Sequence, residues 1–195
     1  MKKRFVFALI VVFFISCSDK INLENQEYDK IKLINKESEN IEKSTCYFFD
    51  IPSYVVDDNE KFTFGNINLS NFSIQDGYPY SKNEISFLVD DYNNDEYKGF
   101  AIRLVNDDGN NLLDYLNNKY GKSNNWDLRG NGEAYFWEDK ASWFFFFQSN
   151  DKNKNDIPYK QSIFIVSQKN TLMQNESKIK TTLLDYFKFI YPQEK

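Results

Sequence analysis

Three acidic residues, Glu133, Glu138 and Asp139, fall within one short stretch, close to Trp126, Trp137 and Trp143. Paired carboxylates can cleave a glycosidic bond, one acting as acid and the other as base or nucleophile, while aromatic faces stack on the sugar. The chain carries 29 acidic residues, so solvated turn and edge charges are the simpler expectation for these three. A carboxylate-dependent glycan hydrolase stands as the alternative. The sequence contains no histidine, which excludes Ser-His-Asp and Cys-His catalysis and removes the commonest zinc ligand. Ser-Lys catalysis lacks its partner motifs. Gly130-Asn131-Gly132 has no P-loop around it and reads as a two-residue hairpin turn, because Asn and Gly both tolerate positive φ. Cys46, beside Tyr47, Phe48 and Phe49 and with no basic partner, reads as a small buried apolar residue. No catalytic residue, metal or cofactor is assigned from these patterns.

A second oxygen-rich run, Asp151-Lys152-Asn153-Lys154-Asn155, puts Asp151, Asn153 and Asn155 at the alternate positions that open an EF-hand calcium loop. It departs from that pattern at two places. Asp156 stands where glycine is needed and Ser162 where the bidentate glutamate belongs, so a polar hairpin loop is expected, with a calcium-stabilised module as a further alternative.

The elements that must position these residues are mainly strands. From Thr45 onward, short runs of aromatic and β-branched residues alternate with Asn, Asp and Gly clusters. The patterns predict strands over 46–51, 61–69 with a bulge at Gly65, 84–90, 99–106, 124–129, 133–138, 141–149 and 161–168. Asp76-Gly77 and Pro79 mark a turn. A helix is predicted over 111–120, with Asp107 and Asp108 at its amino end, Leu112, Leu113, Leu116 and Tyr120 as its apolar stripe, and Gly121 as its stop. A second is predicted over 172–190 from the stripe Leu172, Ile179, Leu183, Phe187 and Ile190, with Thr171 and Gln174 at capping-box spacing. Short turns between strands imply antiparallel pairing. The expected class is α+β: an antiparallel sheet of about six to eight strands with a mid-domain helix and a C-terminal helix packed on it.

Trp143-Phe144-Phe145-Phe146-Phe147 is apolar on both faces of any strand it forms. A continuous apolar strand is normally covered on both sides, here by the helices on one face and by the N-terminal tether or long loops on the other. The competing reading is an exposed patch of Tyr135, Trp137, Trp143, Phe145 and Phe147 that receives a partner.

At the amino end, Lys2, Lys3 and Arg4 precede eleven apolar residues, Phe5 to Ile15, and Ser16 precedes Cys17. Eleven residues are too few to span a bilayer, which takes about 20. The order of basic start, apolar run and small residue before cysteine resembles the lipobox signal peptide of bacterial lipoprotein precursors. That resemblance implies cleavage before Cys17, acylation of that cysteine and attachment to a membrane of the cell envelope, the outer membrane being the expected one. Residues 1–16 are then the signal peptide, 17–44 a polar tether and 45–195 a single domain. Cleavage removes three positive charges, taking the net charge from −5 to −8. With no basic stripe in so acidic a chain, nucleic acid is not an expected partner. The expected activity is binding rather than catalysis: a lipid-anchored envelope protein that engages an unidentified protein or other macromolecule, as an inhibitor, an immunity-type factor or an accessory subunit.

Overall fold

A computed structural model describes residues 20–25, 42–45, 50–90, 96–127, 132–169, 171–174 and 177–191. The signal stretch, Cys17, Cys46 and Asn131 lie outside the described residues. In chain order the strands are β1 (Ile21–Asn22), β2 (Glu42–Thr45), β3 (Pro52–Val55), β4 (Phe62–Phe64), β5 (Ile67–Asn68), β6 (Glu84–Asp90) and β7 (Glu96–Leu104). Helix α1 (Asp108–Tyr120) follows, then β8 (Asn124–Asp127), β9 (Gly132–Glu138), β10 (Ser142–Lys152), β11 (Pro158–Gln168), β12 (Leu172–Gln174), β13 (Lys180–Thr182) and helix α2 (Leu183–Ile190). Mostly sheet with two helices among the described residues, the protein is α+β.

Eight strands form one antiparallel sheet in the order β2-β3-β6-β7-β11-β10-β9-β8. A small sheet, β1-β4-β5, lies apart from it, with β1 pairing parallel to β4. The aromatic strand β10 is central, between β11 and β9, and this explains its composition. Phe144 and Phe146 point to a core shared with Leu112 and Leu116 of α1 and with Phe62 and Phe64 of the small sheet. Trp143, Phe145 and Phe147 point to the opposite core, closed by Leu183 and Phe187 of α2. Each fully buried aromatic removes enough apolar surface from water to contribute roughly 1.5–3 kcal/mol.

Several expectations need correction. The two helices cover opposite faces of the sheet rather than sharing one. The helix predicted over 172–190 is reduced to its last eight residues. Thr182 Oγ1 accepts the Asp185 N–H at 3.0 Å and starts a helix there, while Leu172–Gln174 pairs antiparallel with Lys180–Thr182. Around residue 65 there is a hairpin turn instead of a bulge: Gly65 takes φ +57°, Phe64 pairs with Ile67, and the predicted strand becomes β4 and β5. Residues 50 and 51 are not strand; β2 and β3 flank them. Helix α1 begins three residues earlier than predicted, and Asp107 serves it through its carbonyl, which accepts from Asn110 and Asn111, rather than through its side chain.

The folded body also recruits residues read as tether. Glu42–Thr45 forms an edge strand of the main sheet, and residues 20–25 dock on the small sheet. Leu23 is 2 % exposed, the side chain of Asn22 bonds both the N–H and the carbonyl of Gly65, and Glu24 reaches α1. One buried leucine and a few polar side chains with matched partners suffice to hold so short a segment. That complementarity is formed by residues distant in sequence.

Candidate functional site

The predicted carboxylates do not converge. Glu133 and Glu138 sit five residues apart on β9, about 17 Å at strand rise, whereas glycosidase pairs stand about 5 to 9.5 Å apart. Glu133 accepts from the Tyr135 hydroxyl. Glu138 pairs with Lys169 at 2.7 Å, and that hydrogen bond holds its carboxyl below the usual range. Asp139 caps its own turn, accepting from the N–H groups of Ala141 at 2.8 Å and Ser142 at 2.7 Å.

The aromatic patch is divided. Tyr135 and Trp137 face the α1 side, stacked at 6.0 Å, and the Trp137 Nε1–H donates to the Gly121 carbonyl at 2.8 Å. Trp143, Phe145 and Phe147 face the α2 side and are buried there. A single patch of these five residues is therefore corrected: alternate residues of a strand point to opposite faces, and Trp137, Trp143, Phe145 and Phe147 are buried while Tyr135 is half-buried.

The calcium-loop residues brace a hairpin. Asn153 is buried, its Oδ1 accepting from the N–H groups of Asn155 at 2.9 Å and Ile157 at 3.0 Å. Asp151 accepts from the Tyr159 hydroxyl at 3.0 Å. No three His, Cys, Asp or Glu side chains are grouped to hold a metal ion among the described residues.

What sequence reasoning missed lies where this hairpin tip meets the loop between β5 and β6. Asn153 Nδ2 donates to the Gln75 carbonyl, the Lys154 N–H to the Asp76 carbonyl and Asn155 Nδ2 to Asp76 Oδ2, each at 3.0 Å. The Ser81 and Tyr159 hydroxyls share a hydrogen bond of 2.8 Å. Within the loop, the Ile74 N–H donates to the Ser81 carbonyl, the Ser81 N–H to the Tyr78 carbonyl, and the Asn83 N–H to the Phe72 carbonyl, at 2.7 to 2.9 Å. Gly77 lets the turn close: a Cβ there would sit 2.6 Å from the Ser81 Cβ and 2.9 Å from the Ile74 carbonyl oxygen.

On this frame Tyr78 and Tyr80 stand outward, 43 % and 41 % exposed, with rings parallel to within 8° and centroids 5.6 Å apart. Lys154 Nζ lies 5.9 Å over the Tyr78 ring, and the same two loops expose Phe72 and Ile157. Exposed rigid tyrosines among Ser, Asn and Gly are the composition of a recognition surface: large amphipathic area at little conformational cost, beside adaptable polar groups. The signal in the sequence was Tyr78-Pro79-Tyr80, two aromatics inside a turn, where no strand or helix period exists to bury them.

A smaller recess, about 90 Å³, lies at the other end of β10 between Glu24, Tyr97, Tyr120, Asp139, Ser142 and Phe144. Its carboxylates are engaged. Glu24 accepts from the Tyr115 hydroxyl at 2.7 Å, pairs with Lys119 at 2.7 Å and accepts from Tyr120 at 3.4 Å. Burial, reinforced by Glu24, raises both phenols above their ordinary range. Lys119 is also raised: burial opposes its charge, but the hydrogen bonds to Glu24 and Tyr115 outweigh that. The docked N-terminal segment thus forms part of the wall of this recess. Compared with family models, curated proteins and solved structures, the chain matches none.

Proposed function

We propose that this chain is a lipid-anchored protein of the bacterial cell envelope, attached to the outer membrane through acylated Cys17, whose domain acts by binding a protein partner. Its role is that of an inhibitor, an immunity-type factor or an accessory subunit, without catalysis of its own. The stacked Tyr78–Tyr80 pair, held by two loops that brace each other, carries the reading. Preorganised loops lose less entropy on association than flexible ones, so two fixed tyrosines favour recognition of another macromolecule. The lipobox resemblance supports the address.

The anchor is tested by growth with labelled palmitate. Label should enter the wild-type chain and be absent from Cys17→Ala; continued labelling of that variant refutes the anchor. Recognition is tested by a photo-crosslinking residue at position 157 in the intact chain, beside the tyrosines. A discrete adduct that disappears in Tyr78→Ala/Tyr80→Ala supports the proposal, provided that this double variant melts like the parent. An adduct pattern indifferent to both tyrosines refutes it.

A further inference from the structure

Residues 20–25 occupy a seat that holds a strand. Ile21 and Asn22 pair parallel to Phe62 and Thr63 of β4, and Phe64, the third residue of that strand, has no β1 partner. The Asn22 side chain bonds the Gly65 N–H at 3.0 Å and the Gly65 carbonyl at 3.4 Å, Leu23 is buried, and Glu24 lies against Tyr115, Lys119 and Tyr120 of α1. Backbone pairing combined with pockets for particular side chains is how a protein receives an added strand. The fit is incomplete. Beside Leu23 and Glu24 the recess of about 90 Å³ stays open, lined by Phe64, Phe100, Phe144 and Val166 among others. Six residues are ordered for one buried leucine, two ladder pairs and a few polar contacts, so occupancy is close to balance.

We propose that this seat is a docking groove for a strand from a protein partner, and that residues 20–25 are a resident strap which such a strand displaces. The strap itself shows the chemistry required: an amide side chain for the Gly65 peptide, then an apolar residue, then an acid for Lys119 and the two phenols. A partner strand with an aromatic ring where the strap has Leu23 fills the recess, and apolar lining that the strap leaves open becomes buried. The acid is needed because displacing Glu24 leaves Lys119 and two half-buried phenols without the carboxylate they share. A strap on the same chain acts at high effective concentration, so only a strand that fits better displaces it. The groove is thereby selective. It depends on neither acylation of Cys17 nor the tyrosine surface.

The test uses the full chain and synthetic peptides of residues 18–26, with the Gly65 amide followed in NMR titrations. In the chain carrying Leu23→Asp, which puts a charge in the buried seat and frees it, the peptide with Leu23→Phe should bind saturably. It should bind about fourfold more tightly than the parent peptide, the gain expected from one further buried methylene. The peptide with Glu24→Lys should bind at least about tenfold more weakly than the parent. Equal binding of the three peptides, or no saturable binding of the Leu23→Phe peptide, overturns the groove. The wild-type chain should take the Leu23→Phe peptide more weakly than the Leu23→Asp chain does, because the strap competes; equal affinity overturns the strap. In the otherwise intact chain, Leu23→Phe should raise the hydrogen-exchange protection of the Gly65 amide. Lowered protection shows the recess closed to the ring and overturns the proposal.

Discussion

Leu23→Ala isolates the energetics of the docked segment. The substitution removes the equivalent of three methylene groups from a position 2 % exposed, which costs about 2.4 kcal/mol at roughly 0.8 kcal/mol per buried methylene. Ordering residues 20–25 costs on the order of 1–2 kcal/mol each in backbone entropy. Against that stand one buried leucine, a short parallel ladder to β4 and the hydrogen bonds of Asn22 and Glu24. The net docking energy is therefore a small difference. The segment should open locally when Leu23 is truncated, without unfolding the sheet, as low-stability units of folded proteins do. The Gly65 N–H reports this directly, since it donates to Asn22 Oδ1 at 3.0 Å. In native-state hydrogen exchange its protection should fall by up to about 60-fold, the equivalent of 2.4 kcal/mol at 1.36 kcal/mol per tenfold. Amides of β10 and β11 should keep theirs. Loss of protection shared equally by Phe145 and Phe164 would refute local opening and make the segment an integral part of the core. An unchanged Gly65 amide would mean that Leu23 does not hold it.

Four other outcomes follow from the same geometry. Phe187→Ala should lose about 3–5 kcal/mol in urea denaturation, because the ring is fully buried against Phe145 and Phe147 at 5.0 and 5.6 Å; Phe189→Ala, 79 % exposed on the same helix, should stay within about 0.5 kcal/mol of wild type. Burial, with the hydrogen bond to Glu133, pushes the Tyr135 phenol from its ordinary 10.0 up to about 12. The unfolded chain then releases this proton first, so the contribution to stability is complete below pH 10 and is lost between pH 10 and about 12; Tyr135→Phe should flatten that part of the pH–stability curve. Asn153→Ala strips acceptors from the Asn155 and Ile157 amides and should cost about 1–3 kcal/mol by thermal denaturation. Calcium should leave the wild-type melting temperature unchanged, as the Asn153 oxygen is already engaged; a rise on adding calcium would revive the metal-loop reading.

The failure at the C-terminal helix is instructive because the competing signal was present. Leu172, Ile179, Leu183, Phe187 and Ile190 keep helical spacing, and Thr171 with Gln174 offers a start. Thr182 with Asp185 offers another, and the cap that forms is this one. Choosing between two caps depends on whether the ends of 172–182 coil in one helix or pair with each other as strands, and they pair, β12 with β13. At the candidate site the same limit applies. That Tyr78-Pro79-Tyr80 occupies a turn is a local property, but that Asn153, Lys154 and Asn155 brace this loop through contacts 78 and 79 residues apart is not.

The sequence by itself determined what depends on near neighbours: the period-two alternation of β6, β7 and β11, the two-sided apolar character of β10, the stripe of α1 and its Gly121 stop, and the exclusion of histidine chemistry. Tertiary structure alone decided the strand order, the placement of the two helices on opposite faces, the separation of Trp137 from Trp143, and the docking of residues 20–25. Periodicity records which side of an element is apolar, but not which distant surface will cover it. That choice rests on fit between residues far apart in the chain, and it emerges only when the chain has closed on itself.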